Sequence, residues 1–236
     1  MSTDGVLVVL PTYNERDNLV PVVQGLRALG YELLVVDDAS PDGTGEIADG
    51  LAACDPGVMV LHRPAKLGLG SAYLAGFHQG LGQGYQYLVE MDADRSHRPR
   101  DLSPIVAACR EVGGLVIGSR YVAGGSVSGW SPQRKLLSGF ANLYCRLLLG
   151  WKVRDATSGF RCFRADALTE LGLDRVRSSG YEFQVEMVHR CQRRGLTVSE
   201  VPIRFEERQA GRSKLSRAEI ANGVLGVLRL RFRSPS

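Results

Sequence analysis

Residues 6–40 read VLVVLPTYNERDNLVPVVQGLRALGYELLVVDDAS, a stretch that begins and ends near short, β-rich apolar runs at Val6–Leu10 and Leu33–Val36. Between the two runs, apolar residues recur at the spacing of one helix face, namely Leu19, Val22, Leu26 and Leu29. A strand, a crossover helix and a second strand at this spacing form a right-handed βαβ unit with parallel strands.

The same alternation continues along the chain. Further strands are predicted at Val58–His62, Tyr87–Met91, Leu115–Gly118 and Thr197–Phe205. Further helices are predicted at Asp42–Ala53, Gly70–Gly80, Leu102–Arg110, Arg134–Leu149, Tyr181–Cys191 and Arg217–Arg231. The pattern therefore predicts an α/β fold with a mainly parallel central sheet flanked by helices.

The composition is that of one globular domain over residues 1–236, with 44% hydrophobic and 23% charged positions. Its longest apolar stretches are far shorter than the roughly 20 residues of a spanning helix, so we do not expect an integral membrane protein. The N-terminus lacks the basic and apolar regions of a secretory signal, so we expect the chain in the cytosol.

Two predicted helices bear on possible partners. Arg134–Leu149 carries an apolar stripe, which we interpret as a core helix, with membrane contact as the alternative. The C-terminal helix at about 217–231 is amphipathic and basic. The net charge is only +4, but basic residues crowd the C-terminal part, which predicts an anionic partner such as phosphate, lipid or nucleic acid.

Acidic residues follow three of the predicted strands. Asp92 and Asp94 come directly after Tyr87–Met91, Asp37 and Asp38 follow the second strand, and Glu15 follows the first. Because ligands bind beyond the carboxyl ends of such strands, we expect these carboxylates at one edge, where a cation must offset their repulsion. Oxygen ligands without cysteine favour Mg²⁺ or Mn²⁺ over zinc. Judged locally, turn-forming or helix-capping roles for Asp37, Asp38 and Glu15 are equally open.

Short motifs occur in both halves of the chain. The N-terminal ones are PTYNE (11–15), VDDASPDGT (36–44), HRP (62–64), GLG (68–70) and MDAD (91–94). The C-terminal ones are GSRY (118–121), TSGFR (157–161), GYEF (180–183) and SKL (213–215). In number and order they resemble the motifs of the family 2 glycosyltransferases, and within them the dolichyl- or polyprenyl-phosphate mannose synthases. The resemblance implies a GT-A type nucleotide-sugar-binding fold and inverting transfer of mannose from GDP-mannose to a polyprenyl phosphate.

The resemblance also implies roles for individual residues. The nucleoside pocket would be lined by Pro11, Tyr13, Glu15, Val36 and Asp38. The diphosphate and a Mg²⁺ or Mn²⁺ ion would be held by Asp92, Ala93 and Asp94, with Ser96 as a further metal ligand. The acceptor phosphate would be bound by Arg120, Arg134 and Ser138. A basic loop with Arg208 and Lys214 would close over the donor phosphates.

Many relatives hold their lipid with transmembrane helices, whereas this sequence ends at Ser236. We therefore expect a peripheral protein on the cytoplasmic face of the membrane, with a separate anchoring subunit as a further possibility. Three alternatives to this function stay open within the same fold. The enzyme could transfer glucose to a polyprenyl phosphate, transfer mannose to a soluble glycan, or be a nucleotidyltransferase that makes nucleotide-sugars. A non-catalytic basic module for anionic lipid or nucleic acid is the alternative of another class, whereas the enzyme interpretation expects no nucleic-acid partner.

Overall fold

A computed structural model describes residues 4–176, 178, 180–207 and 217–232. Its strands are β1 (Val6–Thr12), β2 (Glu32–Asp37), β3 (Val58–His62), β4 (Tyr87–Glu90), β5 (Leu115–Ser119), β6 (Ser126–Val127), β7 (Arg161–Arg164), β8 (Val198–Pro202) and β9 (Arg204–Phe205). Its helices are α1 (Arg16–Arg27), α2 (Thr44–Cys54), α3 (Leu69–Gly82), α4 (Leu102–Val112), α5 (Pro132–Leu149), α6 (Ala165–Leu171), α7 (Gly180–Arg193) and α8 (Arg217–Phe232).

Seven strands form one sheet in the order β3-β2-β1-β4-β7-β5-β8. All neighbouring pairs are parallel except those of β7, which runs antiparallel to both β4 and β5. A second, two-stranded sheet pairs β6 with β9. The predicted α/β class with a mainly parallel sheet is confirmed, and the carboxyl ends of β1, β2 and β4 meet at one edge of that sheet.

The two faces of the sheet are covered by different helices. Strand β1 alternates between them, since Leu7 and Val9 belong to one apolar cluster while Val8 and Leu10 belong to the other. The first cluster is completed by side chains of α3, α6, α7 and α8, and the second by those of α1, α2 and α4. This explains why β1 and β2 are apolar at nearly every position: both faces of a sheet in an α/β fold are buried.

Helix α3 lies unusually close to the sheet. A Cβ atom at Gly76 would come within 2.4 Å of a methyl carbon of Val9, and one at Gly80 within 2.6 Å of Leu88. The glycines of this helix are therefore required by close packing, although they lower its intrinsic helix propensity.

The structure corrects several predicted elements. Helix α1 ends at Arg27, so Leu29 lies beyond it and is exposed. The predicted strand Thr197–Phe205 is interrupted at Ile203, and its last two residues pair with β6 in the second sheet. Strand β7 was not predicted, because four residues bounded by arginines give too short an apolar run.

The interpretation of residues 134–149 as a core helix is only partly right: Cys145 lies in the core, and Tyr144, Leu148 and Leu149 pack against it. Helix α5 buries only Asn142 and Cys145 completely, while a row of large apolar side chains faces outward: Leu136, Leu137, Phe140, Leu143 and Leu147. A hydrophobic period shows that one face is apolar but does not show what covers it. The predicted C-terminal helix is present as α8, and it places Val227 and Leu230 in the core.

Among the described residues, no helix combines the length and hydropathy needed to cross a membrane.

Candidate active site

The loops after β1, β2 and β4 share an uncommon backbone feature. Within the described ranges, the non-glycine residues with positive φ are Asn14 (62°), Ala39 (53°) and Arg95 (65°), one in each of these loops. Such conformations cost on the order of 1 kcal/mol or more each and cluster at functional sites. The strain therefore marks the same sheet edge at which the sequence places its carboxylates.

Asp37 links the carboxyl ends of β1 and β2 through hydrogen bonds. Its Oδ1 atom accepts hydrogen bonds from the hydroxyls of Thr12 at 3.0 Å and Ser40 at 2.6 Å. The side chain is almost completely buried, so its carboxylate is committed to holding β1, β2 and the following loop together.

Asp38 organises the segment between β3 and α3. Its Oδ2 atom accepts from the backbone N–H groups of Leu67 and Gly68, both at 3.0 Å, and its Oδ1 atom lies 3.1 Å from Nε of Arg63. In the same segment, the ammonium group of Lys66 sits 4.0 Å from the ring centroid of Tyr13. Tyr13 and Asp38, predicted to line the nucleoside pocket, are therefore joined through one loop.

The other predicted pocket residues differ in how they could meet a ligand. Pro11 and Glu15 are partly exposed, and Glu15 accepts a hydrogen bond from the side-chain amide of Asn18 at 2.7 Å. Glu15 is the N-cap residue of α1 and its side chain makes no cap hydrogen bond, so the helix-capping alternative for this carboxylate is not realised. Val36 is completely buried in the core, which leaves only its main chain for ligand contact.

Asp92 is the partly exposed carboxylate of the segment after β4. Its Oδ1 atom accepts a 3.1 Å hydrogen bond from the hydroxyl of Tyr73, and its Oδ2 atom lies 3.6 Å from Nε2 of His97. Burial first, and then the charge of Asp92, raise the pKa of Tyr73 well above its ordinary value, so the phenol remains a donor. Tyr73 is thus fixed as a partner that orients Asp92.

Asp94 is buried, and its contacts are short. Its Oδ1 atom accepts from the backbone N–H of Ser96 at 3.0 Å and from the Ser96 hydroxyl at 2.5 Å. Ala93, between the two aspartates, is buried as well. The Ser96 hydroxyl, predicted as a metal ligand, therefore holds Asp94 in place in this structure.

Two buried ionisable side chains, Glu90 and Arg161, lie behind this segment. Burial raises the pKa of Glu90 to about 7, and the guanidinium of Arg161 acts in the opposite direction. Arg161 is completely buried and donates to the carbonyl oxygens of Ala156, Ser158 and Gln184 at 2.6–2.8 Å. These bonds fix the loop that precedes β7.

Arg120 forms a buried ion pair with Asp155 from that loop. Its Nε and Nη2 atoms donate to the two carboxylate oxygens at 2.7 and 2.6 Å, and Nη2 also donates to the Thr157 hydroxyl at 2.8 Å. Burial opposes ionisation of Asp155, but the positive charge of Arg120 holds the pKa of Asp155 below its ordinary value. The guanidinium of Arg120 is therefore oriented by a fixed carboxylate.

Arg120 and Arg134 lie against the same indole ring. Their guanidinium carbons are 5.3 and 4.2 Å from the ring centroid of Trp130. Ser138 follows Arg134 by one turn of α5, and Asn142 donates both to the Ser138 carbonyl oxygen and to Thr157. The three residues predicted to bind the acceptor phosphate therefore belong to one neighbourhood.

This neighbourhood is connected to the aspartates of the sheet edge. The ring of His97 packs 5.2 Å from that of Phe205, which in turn packs 5.2 Å from Trp130. A Cβ atom at Gly159 would lie 3.4 Å from Oδ2 of Asp92, so the loop of Asp155 also reaches the aspartates. The two arginines thus lie near the two aspartates, and guanidinium groups suit phosphates while carboxylates suit a divalent cation.

Sequence reasoning missed Tyr73 and Trp130, whose roles come from tertiary contacts rather than from a local pattern. The predicted phosphate-closing residues Arg208 and Lys214 lie outside the described residues.

The chain is similar to known proteins over most of its length. The family described as glycosyl transferase family 2 matches residues 7–172. Undecaprenyl-phosphate mannosyltransferase of Micrococcus luteus is 50% identical, covering 95% of this chain and 93% of its own. Polyprenol monophosphomannose synthase of Mycolicibacterium smegmatis is 48% identical, covering 95% and 86%.

Solved structures also resemble this chain. Glucosyl-3-phosphoglycerate synthase from Mycobacterium tuberculosis, in complex with Mn²⁺, UDP-glucose and phosphoglyceric acid, has a TM-score of 0.69 at 21% identity and covers 98% of this chain and 81% of its own. Mannosyl-3-phosphoglycerate synthase from Rubrobacter xylanophilus has a TM-score of 0.64 at 21% identity, covering 95% and 72%. At this identity the likeness concerns the fold, and the predicted GT-A type is confirmed.

Proposed function

The chain belongs to glycosyl transferase family 2, and we propose that it transfers mannose from GDP-mannose to a polyprenyl phosphate. The chain is similar over nearly its whole length to two enzymes whose names specify mannose transfer involving undecaprenyl phosphate and the synthesis of polyprenol monophosphomannose. The structural observation that carries the proposal is the contact path from Asp94 through Ser96 and His97 to Phe205 and Trp130. This path supports a donor-diphosphate site at the aspartates beside an acceptor-phosphate site at the arginines.

The residues after β4 fit a hard divalent cation. Mg²⁺ and Mn²⁺ are commonly held by one or two carboxylates together with substrate phosphates and water. Asp92 and Asp94 supply two carboxylates, and no group of three acidic, histidine or cysteine side chains forms a complete metal cage in the described ranges. We therefore assign Asp92 and Asp94 as ligands, with Tyr73 and Ser96 orienting them. A bound cation would neutralise charge on the diphosphate leaving group.

The acceptor needs no strong base in this reaction. A phosphate monoester has a second pKa of about 6, so at neutral pH its oxygen is already an anionic nucleophile. Arg120 and Arg134 orient it through charge-assisted hydrogen bonds. A phosphate oxygen attacks the anomeric carbon, the bond from that carbon to the GDP oxygen breaks, and the electron pair stays on GDP. By the family resemblance, this single displacement inverts the anomeric carbon.

The direct test incubates the protein with radiolabelled GDP-mannose, Mn²⁺ or Mg²⁺ and a short polyprenyl phosphate. We expect label in the organic phase, and none when the metal is chelated. UDP-glucose and UDP-N-acetylglucosamine serve as donor controls. Faster transfer from either of them would replace mannose in the proposal, and pyrophosphate release from GTP and mannose 1-phosphate would point to a nucleotidyltransferase.

We also infer that α5 rests on the membrane surface during catalysis. The exposed residues Leu136, Phe140, Leu143 and Leu147 lie along one side of the same helix that carries Arg134 and Ser138. Basic side chains accompany them, including exposed Lys135. An amphipathic helix of this kind suits the interface of an anionic bilayer, from which the lipid phosphate would reach the arginines.

Replacing Leu136 and Phe140 together with serine should weaken binding to phosphatidylglycerol vesicles by more than about tenfold, since two large apolar side chains lose their burial in lipid. Co-sedimentation measures the binding. Turnover of a short, water-soluble acceptor should stay near wild type. Leu29→Ser, an exposed leucine beyond α1, is the control and should bind vesicles normally. If the isolated wild-type chain does not bind vesicles, α5 is not the membrane anchor, and a separate subunit must anchor the protein.

A further inference from the structure

One predicted acceptor-phosphate ligand already contacts an anion from its own chain. The Nη1 atom of Arg134 lies 2.8 Å from Oε1 of Glu207, with the two side chains 25% and 43% exposed. The same guanidinium is stacked 4.2 Å from the centroid of Trp130. A carboxylate thus occupies part of the space that a phosphate would need beside Arg134.

The backbone of Glu207 is held in a defined position. Its N–H donates to the carbonyl oxygen of Ser128 at 3.2 Å, and a Cβ atom at Gly129 would lie only 2.7 Å from the Cβ of Glu207. The preceding residue, Glu206, donates its N–H to the carbonyl oxygen of Ser96, next to the aspartate segment. These main-chain hydrogen bonds therefore position Glu207 beside Arg134 independently of the ion pair between the two side chains.

The ion pair is nevertheless replaceable. Partly exposed pairs contribute little to stability, because solvent screens them and two long side chains lose freedom. A phosphate monoester carries up to two negative charges and several acceptor oxygens, so it binds an arginine more strongly than a single carboxylate does. A phosphodiester or a carboxylate carries only one negative charge and therefore binds the arginine less strongly.

We propose that Glu207 occupies the acceptor-phosphate subsite on Arg134 and must be displaced by the lipid phosphate. Its carboxylate then lowers the affinity for every anion at this subsite by a common factor. Glu207 is an affinity-determining residue in this view, and its role rests on the proposed function. It directly precedes Arg208 in the sequence, so the displaced residue adjoins the predicted donor-phosphate loop.

The test uses Glu207→Gln in the full chain, with Glu206→Gln as the matched control of equal charge change on the adjacent residue. Calorimetric titration with farnesyl phosphate should show tighter binding for Glu207→Gln, by about two- to fivefold, since a competing partly exposed ion pair is removed. Glu206→Gln should bind as wild type does. Titration with dimethyl phosphate should show a gain by about the same factor, because displacing one intramolecular partner costs every anion at Arg134 the same free energy.

Two results overturn the inference. Equal affinities of the two variants for farnesyl phosphate, or weaker binding by Glu207→Gln, would show that Glu207 does not compete for Arg134. If wild type makes the mannolipid while the variants bind alike, only the role of Glu207 fails. If wild type neither binds farnesyl phosphate nor makes a mannolipid, the proposed function fails first and the role of Glu207 fails with it.

Discussion

Asp94→Asn should reduce metal-dependent turnover by about a hundred- to a thousandfold, the loss expected when one electrostatic contact to a developing charge is removed. Asparagine keeps the shape of aspartate, and its amide oxygen can still accept the bonds from the backbone N–H and hydroxyl of Ser96. The fold should therefore survive while the metal loses a charged ligand. Turnover measured across a Mn²⁺ titration, together with a melting curve, tests both parts.

Asp166→Asn is the matched control for this variant. Asp166 pairs with Arg164, whose strand partner Tyr87 opens β4, so this aspartate lies at the opposite edge of the sheet. Its ion pair is exposed and should matter little for either stability or turnover. Full activity of Asp94→Asn in the presence of a chelator would contradict the metal site and favour a non-catalytic anion-binding module.

The sequence predicts the sheet edge well, and the reason is geometric. Parallel strands end at the same edge, so the residues that follow the first, second and fourth strands must come together once the alternation is recognised. The positive φ angles of Asn14, Ala39 and Arg95 lie in those same three loops. Local composition could predict the carboxylates there, but not that Asp37 is committed to Thr12 and Ser40.

The partners of the predicted residues could not be read from the sequence. Asp155 stands 35 positions from Arg120, and Tyr73 stands 19 positions from Asp92. Both contacts depend on how β7 and α3 pack, and β7 is too short to give a periodic signal. Helix α5 shows the converse limit, because the same apolar stripe would fit a buried helix or a membrane surface.

The second large effect is expected at Arg120, where catalysis and stability can be separated. Arg120→Ala would leave the buried carboxylate of Asp155 without its main charge partner, and breaking such a pair costs on the order of 3–5 kcal/mol. Loss of activity in that variant could therefore reflect unfolding. Arg120→Lys keeps a positive charge for Asp155 but removes the planar, forked donor group.

Arg120→Lys should therefore melt within a few degrees of wild type. Its kcat/KM for the polyprenyl phosphate should nevertheless fall about a hundredfold, because one ammonium group cannot bind both Asp155 and a phosphate oxygen. The loss should fall on the acceptor, with the KM for GDP-mannose nearly unchanged. Arg110→Lys, which alters an arginine stacked on Tyr87 away from the site, should leave both constants alone. A normal acceptor KM in Arg120→Lys would mean that Arg120 only neutralises Asp155, and the lipid phosphate would then depend on Arg134 and its displacement of Glu207.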